Sequence, residues 1–438
     1  MAKDTSTISP KILKACFNSF PECTIELVQE IRAGKSGAYV ATVNADFPSN
    51  IAKSGPYIIK IDELRAIEKE IQAASQARSI IGSQVPNISE PSNPHKGFCG
   101  ILISVTHDNI LQIRDLAKTL VSKPWSQGPA DAGKIAQQIL EWHQRSRGTE
   151  SPLPVSDDPS AVQNVIRTAA FDMHRKTLNR SDIHRVSGSD SVGTRLKAAL
   201  GIDEQTSRLE VAWNVIKPNP LAYLKRQELW ISGNGEQQYH FPLAPSHGDL
   251  HAENVICFVG GGTYEPVGID WTFFEPRILE YFDIAYLELD IILRGLNPVE
   301  SRSAASDGLK RVDWATLFER LTDAKIKLDL ITPYTESPFQ TREAEETNNY
   351  LVLLRQNLEQ DCGSALKQRR AWWMSCVAAG LNHARKSNTS NLRRAISLMY
   401  SAYALESLLT VLDVNPPTNE TPIGLVWSNY YGETNATY

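Results

Sequence analysis

The segment His247-Gly248-Asp249-Leu250-His251-Ala252-Glu253-Asn254, with Ile269-Asp270-Trp271 further on, carries most of the chemistry in this 438-residue chain. Between the two pieces lie the apolar run VICFV (255–259), three consecutive glycines (260–262) and YEPVGI (264–269). Two strand-like runs around a glycine turn predict a β-hairpin. Folding back along it returns Asp270 to the neighbourhood of Asn254.

Working outward, Thr24–Ile31 and Ala38–Val43 are β-rich, with the glycine stretch "RAGKSGAYV" (32–40) between them. Its Gly-Lys-Ser is not a Walker loop. Gln29 stands where the first glycine is required, and a strand rather than a helix follows. Tyr57–Ile61 is another short apolar run, after which Leu64, Ile67, Ile71 and Ala74 mark one face of a helix. Gly100–Val105 is a further strand. From there helical periodicity dominates, with Ile135, Ile139, Leu140 and His143 along one side of residues 131–147. Residues 149–244 show no clear chemical signature, and the chain beyond Tyr281 is expected to be α-helical.

With Asp249 and Asn254 spaced as D-x-x-x-x-N and Asp270 placed after a hairpin, the chain resembles the protein-kinase-like phosphotransferases, in particular the aminoglycoside phosphotransferase and choline kinase branch. The resemblance implies an α+β, bilobal fold: a small β-rich N-terminal nucleotide-binding lobe with one helix (1–105), and a larger, mostly helical C-terminal lobe (106–438). The larger lobe would contain the catalytic loop (245–295) and an insertion (149–244). It implies ATP and Mg²⁺ as cofactors, with Asp249 as the catalytic group that accepts a hydroxyl proton. Asn254 and Asp270 would be the metal ligands, and Mg²⁺ prefers such hard oxygens. Lys60 would be the phosphate-contacting strand lysine, with Glu70 or alternatively Glu68 as its partner. Gly34, Ser36 and Gly37 would form a degenerate glycine-rich loop, and Val40 part of the adenine roof. His251 would touch phosphate or substrate. His247 and Asp283 would have supporting roles, Asp283 bracing the loop backbone.

Asp283 comes only thirteen positions after Asp270, and Trp271-Thr272 replaces Phe-Gly. Both features favour a small-molecule acceptor over a peptide. A kinase-like regulatory module, in a bacterial signalling or defence setting, and an atypical protein kinase remain the alternatives. A metallophosphoesterase reading of Gly248-Asp249-x-His251 is disfavoured, since it needs further Asn- and His-bearing metal motifs and the nearest, Gly380-Leu381-Asn382-His383, is wrongly spaced. Glu275, Glu280, Glu288 and Asp290 are expected to be surface charges rather than a cationic-acceptor site. Trp271, Phe273, Phe274 and Tyr281 are expected to be core rather than an aromatic cage.

A net charge of −5 with 22% charged residues gives no footprint for nucleic acid or an anionic membrane. The six cysteines include no C-x-x-C pair, which points away from a zinc site or disulfide framework. The polar N-terminal stretch and the lack of a long apolar run predict a cytoplasmic setting. A protein partner is not readable from the sequence.

Overall fold

The computed structural model describes residues 8–31, 38–104, 112–115, 129–146, 160–172, most of 196–226, 243–260, 263–294, positions 318 and 354, and most of 366–424. The glycine stretch 32–37 lies outside them.

Thr24–Ile31 (β1), Tyr39–Asp46 (β2), Gly55–Glu63 (β3) and Phe98–Ser104 (β4) pair antiparallel in the order β1-β2-β3-β4. Ile58, Ile59 and Ile61 of β3 are all buried because both faces of the strand are covered. Ile59 and Ile61 join Ala41, Val43 and Leu102 in one cluster, with Cys16 and Phe20 from the N-terminal segment. Ile58 points the other way, joining Ile101 and Ile103 of β4 and Ile67 of the helix Leu64–Ile81 (α2). Strand alternation therefore places Lys60 on the α2 side of the sheet.

An additional helix, Pro10–Phe17 (α1), precedes the sheet, so the described residues of this part hold two α-helices where one was expected. The cue is Ser9-Pro10: the Ser9 side chain accepts from the amide of Ile12, and proline opens the first turn. The buried face of α2 is Ile67, Glu70, Ala74, Ala77 and Ile81. It is rotated from the expected face, and Glu70 lies inside it rather than beside it.

The remainder is not purely helical. Pro129–Ser146 (α3) and Ser160–Arg167 (α4) are followed by two strands, Arg208–Ala212 (β6) and Val215–Pro218 (β7). A short helix, Pro220–Lys225 (α5), comes next. Ile423–Gly424 adds parallel to β6, and Glu420 accepts from the Ser207 amide at 2.6 Å. The segment 149–244 thus contains ordered elements that its composition did not announce. Leu243–Ser246 (β8), Val255–Gly260 (β9), Thr263–Gly268 (β10) and Glu275–Leu279 (β11) lead into the helix Phe282–Arg294 (α6). Gln112–Asp115 (β5) pairs with β9. Leu366–Ala384 (α7) and Asn391–Leu412 (α8) complete the main core together with α3, α4 and α6. Among the described residues α8 is the one helix long and apolar enough to cross a membrane, but 78% of its apolar window is buried inside the fold, as in a core helix.

Candidate active site

The loop after β8 is held by its backbone. Asp283, in the first turn of α6, accepts from Ser246 Oγ at 2.8 Å, from the His247 amide at 2.7 Å and from the Gly248 amide at 3.0 Å. Burial pushes the Asp283 carboxyl up, and these three donors oppose it. Gly248 has φ +84°, and a Cβ there would sit 2.1 Å from the Phe273 carbonyl oxygen, so only glycine fits. Burial drives the His247 pKa down, which makes the ring neutral; its Nε2–H donates to the Ile269 carbonyl at 2.7 Å. The ring packs on Trp271 at 4.6 Å.

The far end of the loop is fixed from the same helix. Asp290 accepts from the Ala252 amide at 2.9 Å and from Arg294 Nε at 2.7 Å, and Arg294 reaches Glu253 at 2.9 Å. Burial alone would raise the Asp290 carboxyl, but the Arg294 guanidinium holds it well below the usual carboxylate range. Glu288 is fully buried and accepts from the Tyr400 hydroxyl at 2.7 Å. Asp290 and Glu288 are therefore interior groups, not the surface charges expected. The reason is that α6 is buried on every side from Phe282 to Leu293.

Between these anchors Asp249 keeps a side chain 19% exposed. Its Oδ1 accepts from the Tyr286 hydroxyl at 2.7 Å, and Lys386 Nζ lies 3.8 Å from the same oxygen. His251 Nε2 is 3.8 Å from Oδ2. Asn254 Nδ2 donates to the Asp249 carbonyl at 2.9 Å, leaving Oδ1 as the acceptor atom of Asn254. The hairpin forms in the register Val255 opposite Gly268, and the Ile269 amide donates to the Asn254 carbonyl at 2.9 Å. Asp270 thus follows directly from the residue hydrogen-bonded to Asn254.

Asp270 takes a left-handed conformation at φ 64°, a strained turn that costs about 1 kcal/mol for a non-glycine residue. Thr272 donates to its Oδ1 at 2.9 Å, and Lys60 Nζ lies 3.0 Å from Oδ2. Lys60 also reaches Glu70 Oε2 at 2.6 Å, with only 6% and 1% of the two side chains exposed. Burial works against the Lys60 ammonium, but Asp270 and Glu70 together hold its pKa above the usual lysine value. Burial pushes Glu70 up to about 7, opposed by Lys60. Asp270, despite burial, is drawn below its ordinary value by Lys60 and Thr272.

Of the residues read from sequence, Asp249, His251, Asn254, Asp270, Lys60 and Glu70 come together in this chain of contacts. Glu68 is exposed and makes no pair with Lys60. Val40 lies opposite Lys60 across the β2–β3 ladder, partly buried against the Ile31 and Ile58 cluster. Gly34, Ser36 and Gly37 lie outside the described residues. Trp271, Phe274 and Tyr281 are buried in the core and Phe273 partly so, its carbonyl crowding Gly248. Sequence reasoning did not find Tyr286, Arg294 or Lys386. A signal existed for the first two: Asp283, Tyr286, Asp290 and Arg294 are spaced 3, 4 and 4 apart, a polar stripe on an apolar helix.

No protein-family model and no curated protein matches the chain. In structure the chain is similar to small-molecule kinases. Plasmodium vivax ethanolamine kinase shares 11% identity over 91% of this chain and 84% of its own, with a TM-score of 0.36. A thermostable mutant of an aminoglycoside phosphotransferase, in a ternary complex with ADP and hygromycin B, shares 9% over 93% and 98%, with a TM-score of 0.38. Glucosamine kinase shares 12% over 92% and 79%, with a TM-score of 0.34. At such identities and scores the likeness by itself assigns neither fold nor chemistry.

Proposed function

We propose that the chain is an ATP- and Mg²⁺-dependent phosphotransferase that moves the γ-phosphoryl group to a hydroxyl of a small-molecule acceptor. One observation carries this: Asp249, Asn254, Asp270, Lys60 and Glu70 converge from the loop after β8, the end of the β9–β10 hairpin, β3 and α2. In this reading residues 1–105 form the nucleotide side and the rest the acceptor side. Lys60, oriented by Glu70, meets the α- and β-phosphates. Gly34, Ser36 and Gly37 cover the phosphates, Val40 the adenine, and His251 a phosphate or the acceptor.

The donor set fits a magnesium ion. Asp270 presents a carboxylate held ionised and 27% exposed, and Asn254 a carboxamide oxygen, both hard ligands. Two protein ligands are too few for a closed cage, so phosphate and water oxygens would complete the shell. When bound, the ion would neutralise charge on the phosphates. Asp249 takes the acceptor's hydroxyl proton as that oxygen bonds to the γ-phosphorus. The bond to the β–γ bridging oxygen breaks, and ADP leaves with the electron pair.

The span between Asp270 and Asp283 supports a small acceptor. It is used up by the Trp271–Phe273 turn and by β11, which pairs with β8, so it has no length to seat a peptide. The aromatic residues Trp271, Phe274 and Tyr281 are committed to the core, which disfavours them as a cage for a quaternary ammonium group.

The test is a metabolite-pool phosphorylation screen with Mg-ATP, using Asp249→Ala as the blank. Transfer should fall by about 10²- to 10⁴-fold in that variant, with nucleotide binding retained. Equal turnover in the variant overturns the catalytic assignment. Nucleotide binding without transfer to any acceptor points instead to a regulatory module.

A further inference from the structure

Tyr286 and Lys386 have no part in the reading above, yet both bear on Asp249. The helix α6 that pins the loop through Asp283 and Asp290 carries Tyr286 on the same face, its hydroxyl 2.7 Å from Asp249 Oδ1. The Tyr286 ring is wholly buried, stacked on Phe282 at 5.7 Å and on His383 at 4.4 Å. It has no room to swing away. Burial and the Asp249 charge keep the phenol protonated, so it acts as a donor. Burial keeps the neighbouring His383 neutral.

Lys386 is anchored through its backbone, with its side chain 28% exposed. Its amide donates to the His383 carbonyl at 3.1 Å, and its own carbonyl accepts from Arg394 Nη2 of α8 at 3.0 Å. The ammonium sits 4.9 Å from the centre of the Tyr286 ring and hydrogen-bonds the Tyr286 hydroxyl. The hydrogen bonds therefore run one way: Lys386 Nζ–H to Tyr286 Oη, and Tyr286 Oη–H to Asp249 Oδ1. The terminal torsion of an aspartate is broad and two-fold, so an unheld carboxylate samples orientations freely. A donor held on Oδ1 favours one of them.

We propose that Tyr286 and Lys386 are positioning residues for phosphoryl transfer: they fix Oδ1 of Asp249 so that Oδ2 is the oxygen presented to the acceptor hydroxyl. This rests on Asp249 being the proton acceptor. Three elements would then set the geometry of one carboxylate: the loop that bears it, α6, and the segment just after α7.

The test uses the full chain with Mg-ATP, reading ADP formation. Tyr286→Phe keeps the ring stack and loses only the hydroxyl; Lys386→Met keeps the aliphatic stem. Each should lower kcat by about 10- to 100-fold, the scale of a misplaced catalytic group, with KM for ATP unchanged. Lys386→Arg should recover most of the loss. In an Asp249→Ala background neither substitution should reduce turnover further, whereas a merely structural role would give additive losses. Wild-type kcat in both variants, or additive losses, overturns the inference. Wild-type turnover in Asp249→Ala alone would instead remove the proton-acceptor reading beneath it. Carbodiimide labelling of Asp249 with glycinamide, read by peptide mass spectrometry, gives a measure free of turnover. It should be severalfold faster in both variants, and unchanged labelling in both would also overturn the inference.

Discussion

The loop from Ser246 to Asn254 and the chain of charges from Glu70 through Lys60 to Asp270 meet at one site but are held by different forces. The loop is fixed through backbone amides: His247 and Gly248 on Asp283, Ala252 on Asp290. Its functional side chain, Asp249, is left partly exposed at the centre. The charge chain has no backbone hydrogen bonds between its members. Its three side chains, from a strand, a helix and a turn that also pack through the Ile58, Ile67 and Ile269 cluster, are joined to one another by one ammonium between two carboxylates. The difference teaches which changes each half tolerates. Charge can be removed around the loop if an acceptor for the amides remains, whereas the other half depends on charge itself.

The largest expected effect breaks the loop. Asp283→Ala takes the acceptor from the buried His247 amide and the Ser246 hydroxyl, while the Gly248 amide keeps Ser246 Oγ at 3.1 Å, and should lower stability by about 2–4 kcal/mol in urea unfolding. A loss below about 1 kcal/mol would mean the loop is held elsewhere.

Next comes the charge chain. Lys60→Met leaves Glu70 buried without its cation and should cost about 2–4 kcal/mol at pH 8. The pH dependence has a definite sign. The Glu70 carboxyl is already raised from 4.5 to about 7, so the folded state retains a proton that the unfolded chain releases. Its contribution to stability therefore declines as pH climbs through that window. Removing the opposing lysine raises the folded value further, so the deficit of Lys60→Met should shrink on acidification from pH 8 to 6. A deficit independent of pH would contradict a charge-held chain.

The smallest effect sharpens the contrast. Asp290→Asn keeps an oxygen for the Ala252 amide while losing the charge on Arg294, which retains Glu253, so about 1–2 kcal/mol should be lost at pH 7. Because the Asp290 carboxyl is depressed in the fold, its contribution is present above the ordinary carboxylate value of 3.8 and disappears as pH falls below it. The stability gap between wild type and variant should close in that acid range.

Much of the site was legible because it is local. Asp249, Asn254 and Asp270 are brought together by one hairpin, and a hairpin is written in strand propensity around a glycine turn. Lys60 was singled out by the resemblance rather than by its local pattern, and Glu70 by its place beside the apolar face of the next helix, with Glu68 as the alternative. The face of α2 was misjudged because it was chosen by apolarity, and a paired glutamate occupies it in place of an apolar residue. The interior position of Glu288 and Asp290 was missed for a related reason. Composition alone marks them as surface groups, since carboxylates are almost never fully buried unless partnered. Their partners, Tyr400 and Arg294 with the Ala252 amide, come from distant or non-adjacent positions.

By itself the sequence determined the elements whose contacts are near in the chain: the strands of the first sheet, the β9–β10 hairpin, α2, and the set of oxygen donors at 249, 254 and 270. Tertiary structure alone decided that Lys60 bridges two carboxylates and that α6 clamps the loop at both ends. It also placed Lys386, over a hundred residues from Asp249, against the same carboxylate. The physical reason is that periodicity and turn chemistry encode which way a side chain faces along its own element, whereas the partner it meets depends on how separate elements pack their buried faces.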